Sequence, residues 1–313
     1  MPFIAGSVRM LTDDDVRSVL RIPEAASDKR SRGVVGLRTG SEAFPGAAVL
    51  GVEGAWRAGA GYVCYVGGRR AADLVLARRP ETVAVAPGER APRIDAWVIG
   101  SGVSAQTRSA AETAALRPLL AGAAPVVVDA GALDLLPGAA APVVATPHER
   151  EFERLRAEVE LPPLPSLARG DVATRAAAVQ ETASALGGTV LLKGAVTLVA
   201  DPDAEKVYAV DAGTPWLATA GTGDVLAGVI GALVAADRAA GGTAGLGLLA
   251  AVGAWLHGTA GRIAADALVD LPGRPVVALD VAEALPAAFA FAVHGHADRD
   301  PAPAGSRDAE DRA

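Results

Sequence analysis

Cysteine is nearly absent, with Cys64 the single one in 313 residues. One thiol excludes an internal disulfide and a cysteine-built metal site, and it suits a chain kept in a reducing compartment. Cys64 lies inside the apolar run GYVCYVGG (61–68), so it reads as a buried structural thiol and not as a nucleophile. Aromatic residues are scarce as well, at 4%, which leaves the core to small aliphatic side chains. Basic residues are in deficit: 29 Lys and Arg stand against 36 Asp and Glu, for a net charge of -7. That balance excludes nucleic acid and an anionic membrane as the main partner, because neither phosphate surface is attracted; a local site for a small anion stays open. No run of about 18 apolar, uncharged residues occurs. The opening MPFIAGSVRMLTDDDVRSVL lacks the basic lead and apolar core of an export signal. A cytoplasmic enzyme or binding protein is the expectation.

What abounds is small and apolar. Hydrophobic residues make up 51% of the chain and 36 residues are glycine, a composition for close-packed strands and tightly apposed helices. Near-continuous apolar runs predict strands over 34–40, 62–66, 82–86, 96–100, 125–130, 142–146, 189–194 and 196–201, and alanine-rich segments predict helices over 46–59, 70–79, 105–121, 148–157 and 171–186. The alternation reads as βαβ units, hence an α/β fold with a mostly parallel central sheet and helices on both faces. After residue 210 the pattern changes to long small-residue helices, 221–237, 242–268 and 278–292, the first apolar nearly all round and therefore buried. One domain over 1–295 is expected. The proline-interrupted stretch 158–171 is a loop, and the polar, proline-rich tail 296–313 is too poor in apolar surface to pack.

Chemistry concentrates at four places. In ATAGTGDVLAG (218–228), Gly221, Thr222 and Gly223 let the backbone approach a ligand, and Asp224 falls in the first turn of a helix whose free N–H groups form an anion site. The same Asp224 could instead merely cap that helix. VVVDAGALDLL ends a buried strand in Asp129; VVATPHEREFERL ends another in Thr146, Pro147 and His148, then starts a helix containing Glu151; VLLKGAVTLV places Lys193 and Gly194 at a third strand end. Taken singly, His148 and Lys193 read as solvated surface residues. Together they sit where open α/β sheets bind ligands, outside the carboxyl ends of the strands.

The combination of FPGAA (44–48), TPHEREF (146–152), LKGAVT (192–197) and GTGDVLAG (221–228), in this order along residues 10–292, resembles the ADP- or ATP-dependent NAD(P)H-hydrate dehydratases of the ribokinase-like superfamily. The resemblance implies a ribokinase-like three-layer sandwich. It implies that Ala47, Gly102, His148 and Asp224 line the hydrated nicotinamide dinucleotide, with Asp224 catalytic. Lys193, Gly194, Ala195, Val196, Thr197 and Gly223 would hold the adenine nucleotide, ADP or ATP, accompanied by magnesium whose protein ligands are unassigned. It further implies a homo-oligomer, with a tetramer the form the family suggests. The chain departs from the family at Asp28–Lys29–Arg30, at Gly100–Ser101–Gly102 and at Gly213–Ala218, the last two beside the expected substrate pocket. Larger family members carry an additional epimerase domain, and nothing resembling it is expected in the short leader here.

The residue types suit the implied reaction. Hydroxide leaves poorly from the hydrated ring; a phosphoryl group moved onto that hydroxyl turns it into phosphate, which the ring nitrogen can expel. An activated hydroxyl and a stabilised phosphoryl group are the requirements. Asp224 would take the hydroxyl proton and the N–H groups of 221–224 would hold phosphate, while Glu151 reads equally as a carboxylate that helps place metal-bound water or as a solvated helix glutamate. Two other functions share part of the pattern. A small-molecule kinase of the hydroxymethylpyrimidine or hydroxyethylthiazole type shares the glycine-led acid, and a non-catalytic nucleotide sensor would need no base.

Overall fold

A computed structural model of the chain describes residues 7–164, 171–268 and 272–294. The expected tail 296–313 lies outside the described residues. Each strand and helix expected from the patterning is present. The strands are β1 (Ser7–Met10), β2 (Val34–Arg38), β3 (Tyr62–Val66), β4 (Val83–Val85), β5 (Ala96–Ile99), β6 (Val126–Val128), β7 (Val143–Ala145), β8 (Thr189–Leu192), β9 (Thr197–Ala200) and β10 (Lys206–Val210). The helices are α1 (Asp13–Val19), α2 (Gly46–Arg57), α3 (Arg69–Arg78), α4 (Ala110–Leu120), α5 (Glu149–Glu158), α6 (Val172–Leu186), α7 (Thr222–Ala239), α8 (Leu246–Ala264) and α9 (Ala278–His294). The patterning missed β1, β10 and α1.

The strands form one ten-stranded sheet in the order β1-β10-β9-β8-β7-β6-β5-β2-β3-β4. From β8 to β4 every pairing is parallel; only β9 runs antiparallel, to both β8 and β10. Alternate residues of one strand feed opposite faces, as the period of two requires. Val127 and Leu191 pack with α2, α7, α8 and α9 on one face. Val126, Val128, Val190 and Leu192 pack with α4, α5 and α6 on the other. The result is three layers. Strands buried on both faces explain why β6 reads as an uninterrupted VVV.

Glycine sets how deep the first layer sits. A methyl carbon placed on Gly54 of α2 would lie 2.3 Å from the Val225 carbonyl oxygen, and one on Gly228 of α7 would lie 2.1 Å from that of Gly51. The two helices therefore meet backbone to backbone, and α7, whose start carries Asp224, is held firmly against α2. Cys64 is fully buried in β3, where burial pushes its thiol up to about 11. It is an inert core residue, as expected.

Candidate active site

Four neighbouring strands, β5 to β8, end in polar residues that meet. Ser101 lies two residues past β5, Asp129 directly past β6, Thr146 past β7 and Lys193 past β8. Asp129 is the hub and is almost fully buried. It accepts from the Ser101 hydroxyl at 2.9 Å, the Thr146 hydroxyl at 2.8 Å and the Lys193 ammonium at 2.8 Å. A buried carboxylate with three donors is well satisfied, and it fixes Lys193 where the strand ends converge. Lys193 is also 3.9 Å from Glu151. Burial works against its ammonium, but Asp129, Glu151 and Asp224 overcome that effect and hold its pKa above the ordinary lysine value. Lys193 is thus a fixed cation and not a solvated one.

His148 caps α5. Its Nδ1 accepts from the backbone N–H of Arg150 and Glu151, at 3.1 and 3.4 Å, while Glu151 reaches back to the His148 backbone N–H at 2.9 Å. This reciprocal box fixes the imidazole and explains the TPHERE pattern in local terms. The remaining nitrogen, Nε2, lies 3.5 Å from Glu151.

Asp224 is not a cap. The N-cap of α7 is Gly221, at φ +91°, without any side-chain capping bond, and Asp224 stands in the first turn beyond it. Glycine is needed there because other residues strain at such a φ. Left out of the cap, the Asp224 carboxylate has its pKa pushed up to about 6, first by burial and next by the charge of Asp129; Lys193 and the Ser101 hydroxyl pull in the opposite direction. A capping carboxylate, ringed by N–H donors, would move the other way. Gly223, one residue earlier, sits within reach of the cluster: a methyl carbon on it would lie 3.5 Å from the Lys193 ammonium. The first turn of α7, with its unsatisfied N–H groups, therefore opens beside Lys193 and Asp224.

The other expected residues fall into two groups around this centre. Ala47, at the start of α2, touches Gly102: at φ +69° Gly102 packs so closely that a methyl on it would lie 2.5 Å from the Ala47 Cβ. Ser101 joins this pair to the Asp129 cluster. Residues 193–197 form the turn between β8 and β9, with Gly194 and Ala195 exposed and the Thr197 hydroxyl donating to the Gly194 carbonyl at 3.4 Å. Three residues near this centre went unassigned from the sequence. Asp129 was visible as a strand end but not as the partner of Lys193. Arg175 of α6 and His257 of α8 drew no notice, although a lone histidine in the small-residue run WLHGTAG was a signal. His257 is buried behind the start of α7, its Nε2 without a partner among the described residues. Burial and the charge of Lys193 push its pKa down to about 4, against the Thr222 backbone, which favours the protonated ring.

Residues 35–275 match the family model of the NAD(P)H-hydrate dehydratases. The chain belongs to this family. It is 43% identical over 234 residues to the bifunctional NAD(P)H-hydrate repair enzyme Nnr of Mycobacterium tuberculosis, an alignment covering 72% of this chain and 46% of the relative. It thus spans about half the length of that relative. To the ADP-dependent (S)-NAD(P)H-hydrate dehydratase of Neisseria meningitidis it is 35% identical, covering 76% of this chain and 79% of the relative. The crystal structure of the ADP/ATP-dependent NAD(P)H-hydrate dehydratase of Bacillus subtilis, co-crystallised with ATP and Mg2+, superposes with a TM-score of 0.76 at 27% identity, over 91% of this chain and 99% of that one. The expected ribokinase-like sandwich is the observed fold. Among the described residues no helix is long and apolar enough to cross a membrane.

Proposed function

We propose that this chain dehydrates hydrated NADH or NADPH back to the reduced cofactor, at the expense of an adenine nucleotide and inside the cytoplasm. The observation that carries the reading is Asp224: a carboxylate free of any capping duty, poised at about 6, beside a fixed cation and an open helix start. A general base for work near neutral pH has this character. The ring hydroxyl gives its proton to Asp224 as its oxygen attacks the terminal phosphorus of the nucleotide, and the bond to the leaving nucleotide breaks. The N–H groups at the start of α7 and the Lys193 ammonium meet the negative charge on the transferring group. The ring nitrogen then expels phosphate, the neighbouring carbon gives up a proton, and the double bond is restored. With ADP the products are AMP, phosphate and NAD(P)H; with ATP, ADP replaces AMP.

Ala47, Gly102 and His148 would line the hydrated nicotinamide, and the turn 193–197 with Gly223 would take the nucleotide. Nothing in Gly102 or Ala47 can compete chemically; their close packing leaves backbone and space. Among the described residues there is no group of three or more His, Cys, Asp or Glu side chains suited to caging a metal. That donor set fits magnesium bound chiefly through nucleotide phosphates and water, with Glu151 and Asp224 the carboxylates that would face it. Its contribution there is to neutralise charge on the phosphates.

The test is direct. Hydrated NADH or NADPH is incubated with the protein, magnesium, and ADP or ATP. Recovery of the near-ultraviolet absorbance of the dihydronicotinamide, with one phosphate released per turnover, supports the reading and identifies the donor. A phosphorylated product that accumulates without absorbance recovery would make the protein a small-molecule kinase instead.

A further inference from the structure

The carboxylates of the site outnumber its available positive charge. Asp129, Glu151 and Asp224 cluster at the strand ends, and the ammonium of Lys193 is already committed to Asp129 at 2.8 Å and faces Glu151 at 3.9 Å. A nucleotide with two or three phosphates entering this region needs a further cation beyond magnesium.

Arg175 supplies one. It lies in the opening turns of α6, half-buried, and its guanidinium leans over the turn 193–197. A methyl carbon placed on Gly194 would lie 2.8 Å from its Nη2 and 3.5 Å from its Nη1. Several other arginines withdrawn from the surface sit on carboxylates, Arg38 on Glu112, Arg57 on Glu53, Arg108 on Asp134 and Arg238 on Asp237, while Arg32 and Arg262 donate to the backbone carbonyls of Gly59 and Ala267. The Arg175 backbone N–H donates to the Asp171 carbonyl, but its guanidinium has no hydrogen bond or ion pair among the described residues. A guanidinium partly withdrawn from water with its donors unspent gains from a ligand that completes it. The ligand must be anionic and planar or tetrahedral enough to take a fork of N–H groups, which is the chemistry of a phosphate. The absence of a side chain at Gly194 leaves the room through which the fork reaches the turn.

We infer that Arg175 binds a phosphate of the adenine nucleotide, and that it is a specificity residue for phosphorylated over unphosphorylated adenosine. This rests on the nucleotide reading of the turn 193–197. It makes Arg175 a ligand-binding residue whose loss weakens nucleotide binding without touching the base, Asp224.

Equilibrium binding of ADP, AMP and adenosine to the full chain, by calorimetry with magnesium present, separates the outcomes. Arg175→Met keeps the aliphatic stem and removes the donors. Its affinity for ADP should fall about 10- to 100-fold, the loss of a charge-assisted contact, while adenosine binding stays as in the wild type and so reports an intact fold. Arg175→Lys should recover part of the ADP affinity through its charge. Equal losses for ADP and adenosine would mean that the guanidinium stacks on the base, and would overturn the phosphate assignment. Wild-type protein that binds ADP while Arg175→Met matches it would also overturn it and leave the nucleotide reading standing. Wild-type protein that binds no adenine nucleotide would overturn both.

Discussion

Asp224 shows how one side chain can be separated from its bland interpretation by its surroundings. Aspartate in the first turn of a helix usually serves the helix ends, and its pKa then falls. Here Gly221 occupies the cap, and burial with the Asp129 charge pushes the Asp224 carboxyl up to about 6. Asp224→Asn keeps shape and hydrogen-bonding capacity but cannot accept the hydroxyl proton. Turnover of the hydrate should fall by about 10² to 10⁴, the usual contribution of a positioned base, while ADP affinity changes little. The wild-type kcat/KM should drop as pH falls through about 6, where the base becomes protonated, and the residual activity of Asp224→Asn should lack that limb. Near-normal turnover by the variant, or an acid limb that survives the substitution, would leave the mechanism without its base. At this scale the sequence was partly legible. Lys193 stood out because a polar residue ending an apolar run marks a strand end, and Asp224 because glycines lead it into the first turn of an apolar helix. The pairing of Lys193 with Asp129 did not, because it depends on how β6 and β8 lie in a sheet with β7 between them.

The elements that carry these residues were read mainly from hydrophobic period, and the misses follow from what that period can report. β10 is a five-residue strand whose first and third residues are not fully buried. β1 pairs with it in parallel, Ser7 opposite Lys206, so its partner lies far along the chain and gives no local signal. α1 did carry one, since Thr12 and Asp15 form a reciprocal capping box ahead of it, but seven residues are too few for a clear helical stripe. The reach of Arg175 to Gly194 comes from the packing of α6 and has no counterpart in residue spacing. The abundance of small residues did foretell tightly apposed helices, and the α2–α7 crossing allows a sharp test. Gly228→Ala would put its methyl 2.1 Å from the Gly51 carbonyl oxygen, a backbone atom that cannot swing aside, so the helices must part. Overpacking of this kind costs about 1–3 kcal/mol. Gly228 is one turn along α7 from Asp224, so the displaced helix should also lose activity beyond its loss in Tm. Thermal unfolding together with a kcat measurement checks both; an unchanged Tm would show that the two backbones are not in contact.

For the molecule as a whole, the site imposes two opposing demands on acid stability. His257 is buried with its pKa near 4, below its usual 6.5, so between those values the unfolded chain takes up a proton that the folded one refuses. Stability from this source is present above about 6.5 and is lost as pH falls towards 4, on the order of 3 kcal/mol. Asp224 acts with the opposite sign. Its folded pKa of about 6 stands above the usual 3.8, so the folded chain holds a proton that the unfolded one has released, and stability rises by a similar amount as pH falls from about 6 to 4. The two effects nearly offset each other, which leaves the wild type's acid profile to its remaining groups, such as the Glu53 carboxylate held down by Arg79 and Arg78 against its burial. Removing one member of the pair exposes the other. Asp224→Asn should lose about 3 kcal/mol more than the wild type between pH 6.5 and pH 4, whereas His257→Gln should lose about 3 kcal/mol less. Groups common to all three proteins cancel in the comparison. Denaturant unfolding across that pH range measures the slopes. Parallel curves for the wild type and both variants would mean that neither group changes its proton affinity on folding, and the poised base at the centre of the proposed mechanism would lose its physical support.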